Sequence, residues 1–332
     1  HRLALANLED SEAGELVIDA ATSAVPEDAE VEVDGAGGGW LDIEGAVTVG
    51  RDGAGRIELT AGAQATAGSL DAGVLPGSRG EVAVQGDATL LMLDGQARLG
   101  VDGFGQAHVL DGGQVVSAGA EVNSSAPGAP GLLISGAGSR WDAGGAVSVG
   151  ESSAGHLRVA AGGVLSATTI EIGGLGLVDG DGTFDVGPNG VLINGGMFLP
   201  GTSPGIATVR GNYVQTTLGT LELEIGGLTP GHSHDVLEVS GDATTNGSVI
   251  LTFVQGFAPK RGDRFNLLTA GGFIDAAGAE FEVRGLGAGF EFNVVDFDGG
   301  LRLIALNDGR FVPEPSSAIG LALAAIAMGL PR

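Results

Sequence analysis

A glycine-bounded repeat of about 25 residues dominates the first two thirds of the chain. Val49-Gly50, Leu99-Gly100 and Val149-Gly150 follow one another at intervals of fifty residues. Short runs that open on glycine recur at a finer spacing, namely GRIEL (55), GEVAV (80), GQAHV (105), GLLIS (131), GHLRV (155) and GTFDV (182). A fixed period of this length is typical of proteins that stack one small unit on the next.

Each run alternates apolar and polar residues, which indicates a β-strand rather than a helix. Ile57 and Leu59 are expected to face one side of such a strand, and Arg56 and Glu58 the other. Because one short unit cannot bury its own apolar side, it needs neighbours above and below. We therefore predict an all-β fold, a right-handed parallel β-helix (β-solenoid) of about 25 residues per coil.

Composition agrees with this fold and excludes several others. Glycine supplies 63 of the 332 residues without a G-X-Y period, which excludes collagen and suits tight coil corners. The chain has no cysteine, so disulfides, thiolate metal sites and cysteine nucleophiles are excluded. A formal net charge of −26 repels phosphate, so we expect no nucleic-acid partner.

Phenylalanine marks a change of character along the chain. Eleven of the twelve phenylalanines lie from Phe184 onward, and the turn-forming sequence PGTSPG at 200–205 precedes longer strand-like runs. A solenoid also needs a cover for the unpaired strand edges at its end. We predict four regions: N-terminal partial coils (1–33), solenoid repeats (34–210), a C-terminal β cap module (211–308), and a linker with a short apolar helix (309–332).

The segment after this turn resembles a known family. PGTSPG is followed by IATVRGNYVQ at 206–215, by GTLELEIGG at 219–227 and by GFAPKRGDRFNLLTA at 256–270. These sequences resemble the C-terminal part of autotransporter-like β-helix passengers. The resemblance implies a β-helix but is poor in functional information.

The C-terminal tail resembles the PEP-CTERM sorting signal. The matching residues before an uncharged stretch at 316–330 are Val312, Pro313, Glu314 and Pro315, and the matching residue after it is Arg332. Arg332 alone stands where the family has a basic cluster. The apolar part, 319–330, is shorter than the roughly 20 residues that span a bilayer. A buried helix is the alternative for this stretch.

The PEP-CTERM resemblance implies where the protein goes. It implies export in a Gram-negative bacterium to the cell surface, the outer membrane or the extracellular matrix. The implied partners are an exosortase-type processing enzyme, the membrane through the C-terminal segment, and exopolysaccharide.

Two groups of residues suggest catalysis or transition-metal binding. Residues 201–205 match a serine nucleophile elbow, but Pro204 after Ser203 has no N–H for an oxyanion hole, which argues against catalysis there. His232, His234 and Asp235 carry metal-ligand side chains, although a hairpin loop explains them better.

An acidic glycine loop suggests calcium. Asp179, Asp181 and Asp185 lie in a segment of the kind that Ca²⁺ favours, although Asx-type turns explain the same residues without a metal. We predict no cofactor, with calcium as the weaker alternative.

Two tryptophans are candidates for glycan contact. Trp40 and Trp141 each follow a glycine-rich turn, DGAGGGW and SGAGSRW, and each precedes a GAV-x-VG strand. Exposed aromatic rings stack on sugar rings, whereas a tryptophan packed at a solenoid corner is the alternative and the preferred interpretation.

Two classes of function remain. The preferred prediction is a non-enzymatic surface or matrix protein that serves adhesion or an exopolysaccharide biofilm. The alternative is a β-helical polysaccharide lyase or glycoside hydrolase, since the fold alone does not decide between them. The chain has 41 acidic residues, so a catalytic-looking carboxylate pair carries no information, and its basic residues are scarce and scattered.

Overall fold

The computed structural model describes residues 2–5, 15–19, 29–35, 39–126, 129–202, 204–297 and 299–312. Within these residues the chain is all β, without an α-helix, and forms a parallel β-solenoid of about nine turns. The predicted solenoid is therefore confirmed. The predicted C-terminal apolar helix falls in 313–332, outside the described residues.

The described strands are short and are separated by tight corners. The first part contains β1 (Arg2–Leu5), β2 (Glu15–Ile18), β3 (Ala29–Asp34), β4 (Trp40–Val49), β5 (Ala54–Thr60), β6 (Gln64–Ala72), β7 (Arg79–Gln85), β8 (Leu90–Leu93), β9 (Gln96–Leu99), β10 (Phe104–Leu110) and β11 (Gln114–Ser117). The middle part contains β12 (Gly119–Val122), β13 (Ser125–Ala126), β14 (Ala129–Pro130), β15 (Leu132–Ser135), β16 (Arg140–Ala143), β17 (Ala146–Val149), β18 (Gly155–Ala160), β19 (Val164–Ser166), β20 (Thr169–Ile172), β21 (Gly176–Gly180) and β22 (Thr183–Asp185). The last part contains β23 (Val191–Asn194), β24 (Met197–Pro200), β25 (Ile206–Arg210), β26 (Asn212–Gln215), β27 (Thr220–Ile225), β28 (Val236–Val239), β29 (Ala243–Phe253), β30 (Arg264–Ala270), β31 (Ile274–Arg284), β32 (Phe292–Phe297) and β33 (Gly300–Ala305).

Each complete coil contributes a strand to each of three parallel sheets. Sheet A stacks β3, β5, β7, β10, β15, β18, β21, β24 and β27, while sheet B stacks β8, β11, β16, β19, β22, β25, β28 and β30. Sheet C stacks β9, β12, β17, β20, β23 and β26. Four longer strands, β4, β6, β29 and β31, bend at a corner and serve two sheets.

One continuous apolar core runs along the inside of the three sheets. In β5, Ile57 and Leu59 are buried whereas Arg56 and Glu58 lie on the outer face, as the alternation predicts. A fully buried side chain of this size stabilises the fold by about 1.5–3 kcal/mol. Stacking thus buries what a single coil cannot.

The 25-residue coil is confirmed in the first half of the rod and fails in the second. Gly80 pairs with Gly55 below and Gly105 above, but Gly155 pairs with Gly176 after only 21 residues. The corner at 173–175 is shorter than the equivalent corner at 150–154, which contributes to this difference. The later strands therefore come earlier in the sequence than a 25-residue period predicts. The expectation that GTFDV at 182 aligns with the other glycine runs is wrong, because β22 lies in sheet B, beside β19.

The repeating glycines satisfy two different requirements. Gly105 has no positive φ, but a Cβ there would lie 2.3 Å from the carbonyl oxygen of Ala72 in the coil below. Gly112 has a φ of 93°, which side-chain-bearing residues rarely adopt. The first glycine is therefore required by close packing of coils, and the second by the shape of the corner.

Parallel pairing crosses the expected boundary between 210 and 211 without a break. β25 pairs with β28, β26 with β29, and β29 with β31. Among the described strands of this region, antiparallel pairing occurs where β33 joins β30 and β32, apart from the isolated antiparallel bridges Ile225–His234 and Leu286–Phe311. The change of strand pairing therefore lies near the end of the described chain.

A polar network interrupts the apolar core in the second half of the rod. Tyr213 is buried, and its hydroxyl donates to Oε1 of Gln215 at 3.0 Å and accepts from Nδ2 of Asn194 at 3.2 Å. Gln215 Nε2 in turn donates to the carbonyl oxygens of Gly219 and Ser248. Burial raises the pKa of Tyr213, so the phenol stays neutral and acts as a hydrogen-bond bridge.

Candidate functional site

A cleft on the outer face of sheet A brings five ionisable side chains together. Its volume is about 370 Å³, within the range of small-ligand pockets. The lining residues are Arg158, Asp179, Leu199, Pro200, Gly201, Thr202, Glu222, Glu224 and Asp235. A more open groove of about 520 Å³ on sheet B contains Arg140 and Asp185 as its charged residues.

Strand register places a charged pair on the floor of the cleft. Arg158 on β18 pairs in register with Asp179 on β21, and both side chains project outward from the outer face of the sheet. Nε of Arg158 donates to Oδ1 of Asp179 at 2.8 Å, and Nη2 donates to Oδ2. His156 Nε2 lies 3.2 Å from the same Oδ1.

These contacts determine the charge of Asp179. Burial by itself disfavours the ionised carboxylate. The hydrogen bonds from Arg158 and His156 outweigh that effect, so the pKa of Asp179 lies below its ordinary value. Asp179 is therefore a permanent negative charge at neutral pH.

Asp235 is a second carboxylate with the opposite tendency. It is buried, and burial raises its pKa to about 7, assisted by the nearby charges of Glu224 and Glu222. Two backbone N–H groups oppose this shift: Gly205 donates to Oδ1 and Glu224 to Oδ2, each at 2.7 Å. The side chain thereby ties the 200–205 corner to β27.

The cleft therefore combines two carboxylates with different proton affinities. Such a pair is what acid–base chemistry on a sugar requires. Both oxygens of Asp235 are nevertheless engaged by the backbone, and Thr252 donates to Oε1 of Glu222 at 2.7 Å. The remaining lone pairs of the carboxylates can accept hydrogen bonds from the hydroxyl groups of a ligand.

The two candidate tryptophans lie on opposite sides of sheet B. Trp40 is 48% exposed, whereas Trp141 is 1% exposed and donates through Nε1 to Oγ of Ser117 at 2.9 Å. The strand register of sheet B aligns Trp40 with Arg140 and not with Trp141, which is the next residue in the chain. A shift of one residue turns a side chain to the other face, so only Trp40 has a ring face available to a sugar.

The histidine-rich loop does not assemble a metal site. His234 is buried with its ring against Phe265, and Nδ1 lies 3.1 Å from the carbonyl oxygen of Gly227, while His232 is exposed. Burial lowers the pKa of His234. No group of three His, Cys, Asp or Glu side chains within the described ranges could hold a metal ion.

The acidic loop of the calcium hypothesis makes internal contacts instead. Asp179 holds Arg158, as described above. Asp181 accepts from the backbone N–H of Ala161 at 2.8 Å and from the hydroxyl of Thr202 at 3.0 Å. Asp185 accepts from the N–H of Gly187. These three carboxylates thus link corners and neighbouring coils.

One residue of the tail signal is described. Val312 is exposed, and its N–H donates to the carbonyl oxygen of Gly285 at 2.9 Å. Pro313, Glu314, Pro315 and Arg332 lie outside the described residues. Among the residues that are described, none belongs to a helix with the length and apolarity needed to traverse a bilayer.

Comparison with known proteins identifies no relative: no protein-family profile matches the chain, and no curated protein is similar to it. The sequence pointed to Asp179 and Asp235 as separate metal candidates but missed the cleft that they share, because its residues come from separate coils. Arg158 and Glu222 are 64 positions apart in the numbering, and the shortened coils between them break the period that would have aligned them. A signal for the tryptophans did exist, since Trp40 precedes its Gly-Ala-Val by five residues and Trp141 by four.

Proposed function

We propose that this chain is an exported, non-enzymatic β-solenoid of the cell surface or extracellular matrix. In this role it forms a rigid acidic rod for adhesion or for an exopolysaccharide biofilm. The proposed partners are exopolysaccharide, an exosortase-type processing enzyme and the membrane, the last through the C-terminal segment. The proposed host is a Gram-negative bacterium.

The observation that carries this proposal is the uninterrupted parallel stacking from β3 to β31. Nine turns at about 4.8 Å per strand give a rod roughly 45 Å long. Its core depends on contacts between neighbouring coils, so its stability is approximately a sum over the coils and their interfaces. We also propose right-handed coiling, because parallel strand connections are right-handed in about 98% of cases.

Charge on the outer faces supports a solvated rod. Arg56 is held by Glu58 at 3.1 Å and by Glu81 at 2.9 Å, and Arg98 forms two hydrogen bonds with Asp71. These basic side chains are neutralised by carboxylates of their own or neighbouring coils. The excess negative charge remains and keeps the rods apart in solution.

The sorting half of the proposal rests on the tail sequence and is tested in cells. Deletion of 312–332 is expected to release the protein into the medium or to trap it in the periplasm. Substitution of the motif alone, by Pro313→Ala with Glu314→Ala, should have the same effect, while the Trp40→Phe variant serves as a sorted control. Unchanged fractionation of the deletion variant would remove the sorting role.

The binding half is tested by cosedimentation of purified protein with acidic and neutral polysaccharides. We expect retention on at least one polymer, weakened by Trp40→Ala because that ring is exposed. The matched control is Met92→Ala, which changes another exposed apolar side chain of sheet B. Absence of retention on every polymer would refute this half.

A second candidate function, polysaccharide cleavage, is favoured by the cleft with Asp179 and Asp235. The same polymer panel is incubated with the protein, and new reducing ends or unsaturated products are measured. Cleavage that is lost in Asp235→Asn but kept in Asp71→Asn, whose carboxylate lies on sheet C, would replace the first proposal. We expect that the unsubstituted protein cleaves these polymers no faster than the Asp235→Asn and Asp71→Asn variants do.

A further inference from the structure

The C-terminal end of the rod is incompletely covered by the described residues. In sheet A, Val249 and Leu251 of β29 are 2% and 0% exposed. Their register partners one coil further on, Phe281 and Val283 of β31, are only partly buried. Among the described residues, nothing covers the last coil as completely as each earlier coil is covered by its successor.

The hairpin of β32 and β33 closes only part of this end. Phe290 reaches back to Phe253 with ring centroids 5.8 Å apart, and Phe292 stacks on Phe290 at 6.0 Å. These side chains are nevertheless partly exposed as well. We define the end patch as the partly buried apolar residues of this region: Ile274, Ala276, Ala279, Phe281, Val283, Leu286, Phe290, Phe292 and Val294.

The backbone of β31 is open on the same end. Among the described strands, only β29 pairs with β31, so one edge of an eleven-residue strand has no described partner strand. An open parallel edge beside an apolar surface is a site for further association. The question is which chain segment covers it.

The chain itself leaves the described region at this place. Leu286 forms a bridge with Phe311, Gly287 donates to the carbonyl oxygen of Arg310 at 2.7 Å, and Val312 donates to Gly285. Only three residues separate Val312 from the uncharged stretch 316–330. The apolar segment of the tail is thus tethered within a few residues of the end patch.

Charge favours the tail over a second copy of the chain. Two rods with a net charge of −26 each would bring like charges together, and β31 itself exposes Asp275, Glu280 and Glu282. The segment 316–330 carries no charge. A short tether also gives millimolar effective concentration, which an untethered partner does not reach.

We propose that residues 316–330 pack over the end patch and complete the solenoid when the tail is not engaged by a membrane. The inference deepens the proposed sorting function. It rests on that function only for the state in which a membrane engages the tail, and docking on the end patch does not depend on it. The tail then exists in a docked state and an engaged state. A docked tail is protected from aggregation and from premature processing.

Cross-linking of the full-length chain tests the docked state. The chain has no cysteine, so Ala279→Cys with Ala325→Cys places the only two thiols in the end patch and in the tail. A control pair combines Ala325→Cys with Gln64→Cys, at an exposed position of sheet B many coils away. Both pairs are treated with a short bismaleimide at about 1 µM protein in detergent-free buffer.

The proposal predicts an internally linked monomer for the Ala279 pair and not for the Gln64 pair. At this concentration a millimolar tether favours the internal product by about a thousandfold over links between molecules. Equal yields from the two pairs would overturn the proposal. A dimer whose yield rises with concentration would overturn it in favour of a second copy.

Hydrogen exchange gives a second measurement that needs no cross-link. Leu323→Asp with Ile326→Asp places two charges inside the apolar stretch, and Ser316→Asp with Ser317→Asp adds the same charge at its start. We expect the amides of β31 to exchange at least about tenfold faster in the first variant only, with β5 unchanged as the internal reference. Unaltered exchange in β31 would refute docking.

The two proposals fail separately. Loss of sorting in cells with cross-linking intact would leave the docked tail and remove its membrane destination. Normal sorting without internal cross-linking would remove the docked tail and leave the sorting proposal in place.

Discussion

Trp40 and Trp141 follow nearly the same sequence, yet alanine substitutions at the two positions should have very different effects. Trp141 is 1% exposed, fills the interior of a coil and loses a hydrogen bond to Ser117 when truncated. Removal of a buried tryptophan destabilises by about 3–5 kcal/mol. Trp40 lies on the outer face, where a cross-strand contact is worth about 0.2–1 kcal/mol. We therefore expect Trp141→Ala to cost at least three times as much as Trp40→Ala.

Guanidinium unfolding followed by far-UV circular dichroism measures both costs, since this signal does not depend on the substituted rings. The stability of a solenoid is approximately a sum over neighbouring coils, so the loss of unfolding free energy in Trp141→Ala is local. The coils around β16 should therefore unfold at a lower guanidinium concentration than the rest of the rod. Tryptophan emission provides the control. In Trp40→Phe the remaining ring should resist quenching by neutral acrylamide, and in Trp141→Phe it should be quenched. Equal unfolding costs, or equal quenching, would refute the assigned faces.

Three further predictions concern the core, the cleft and the corners. Tyr213→Phe should lower the unfolding free energy by about 1–2 kcal/mol, because it leaves buried amide groups without their hydroxyl partner; an unchanged guanidinium midpoint would contradict the network. The folded pKa of Asp235 lies above its unfolded value of about 3.8, so its contribution to stability should rise as pH falls from about 8 to 4. Asp235→Asn should remove that part of the pH dependence, and parallel pH curves for the two proteins would contradict it. Gly105→Ala should destabilise by about 1–3 kcal/mol because its Cβ meets backbone, whereas Gly174→Ala, in open space, should not; similar thermal midpoints would count against the close approach.

The repeat predicted the fold because its physical cause is local. The alternation of apolar and polar residues shows which side of each short strand faces the core, as at Ile57 and Leu59. Glycine marks the corners where a side chain would clash with the backbone or strain it. The period correctly placed Gly80 beside Gly105. It failed at 182, because the coil from Gly155 to Gly176 spans 21 residues, and this shortening changes every later alignment without altering the local pattern.

The candidate cleft could not be predicted in the same way. Arg158 and Asp179 face each other only because β18 and β21 adopt one particular register. Asp235 joins them because its carboxylate ties two backbone segments from different coils. Local sequence placed Asp179 in an acidic glycine loop and Asp235 in a histidine-rich loop, but it carried no sign that the two share a cleft with Arg158.

The sequence by itself determined the all-β solenoid, the outer location of the charge and the presence of an uncharged tail. These properties depend on alternation, glycine content and composition, which act within a few residues. Only the tertiary structure decided which tryptophan is buried, which carboxylates share a cleft, and that the described residues leave the last coil partly uncovered where the tail begins. Those outcomes depend on register and corner length, and a one-residue change in either moves a side chain from the core to the surface.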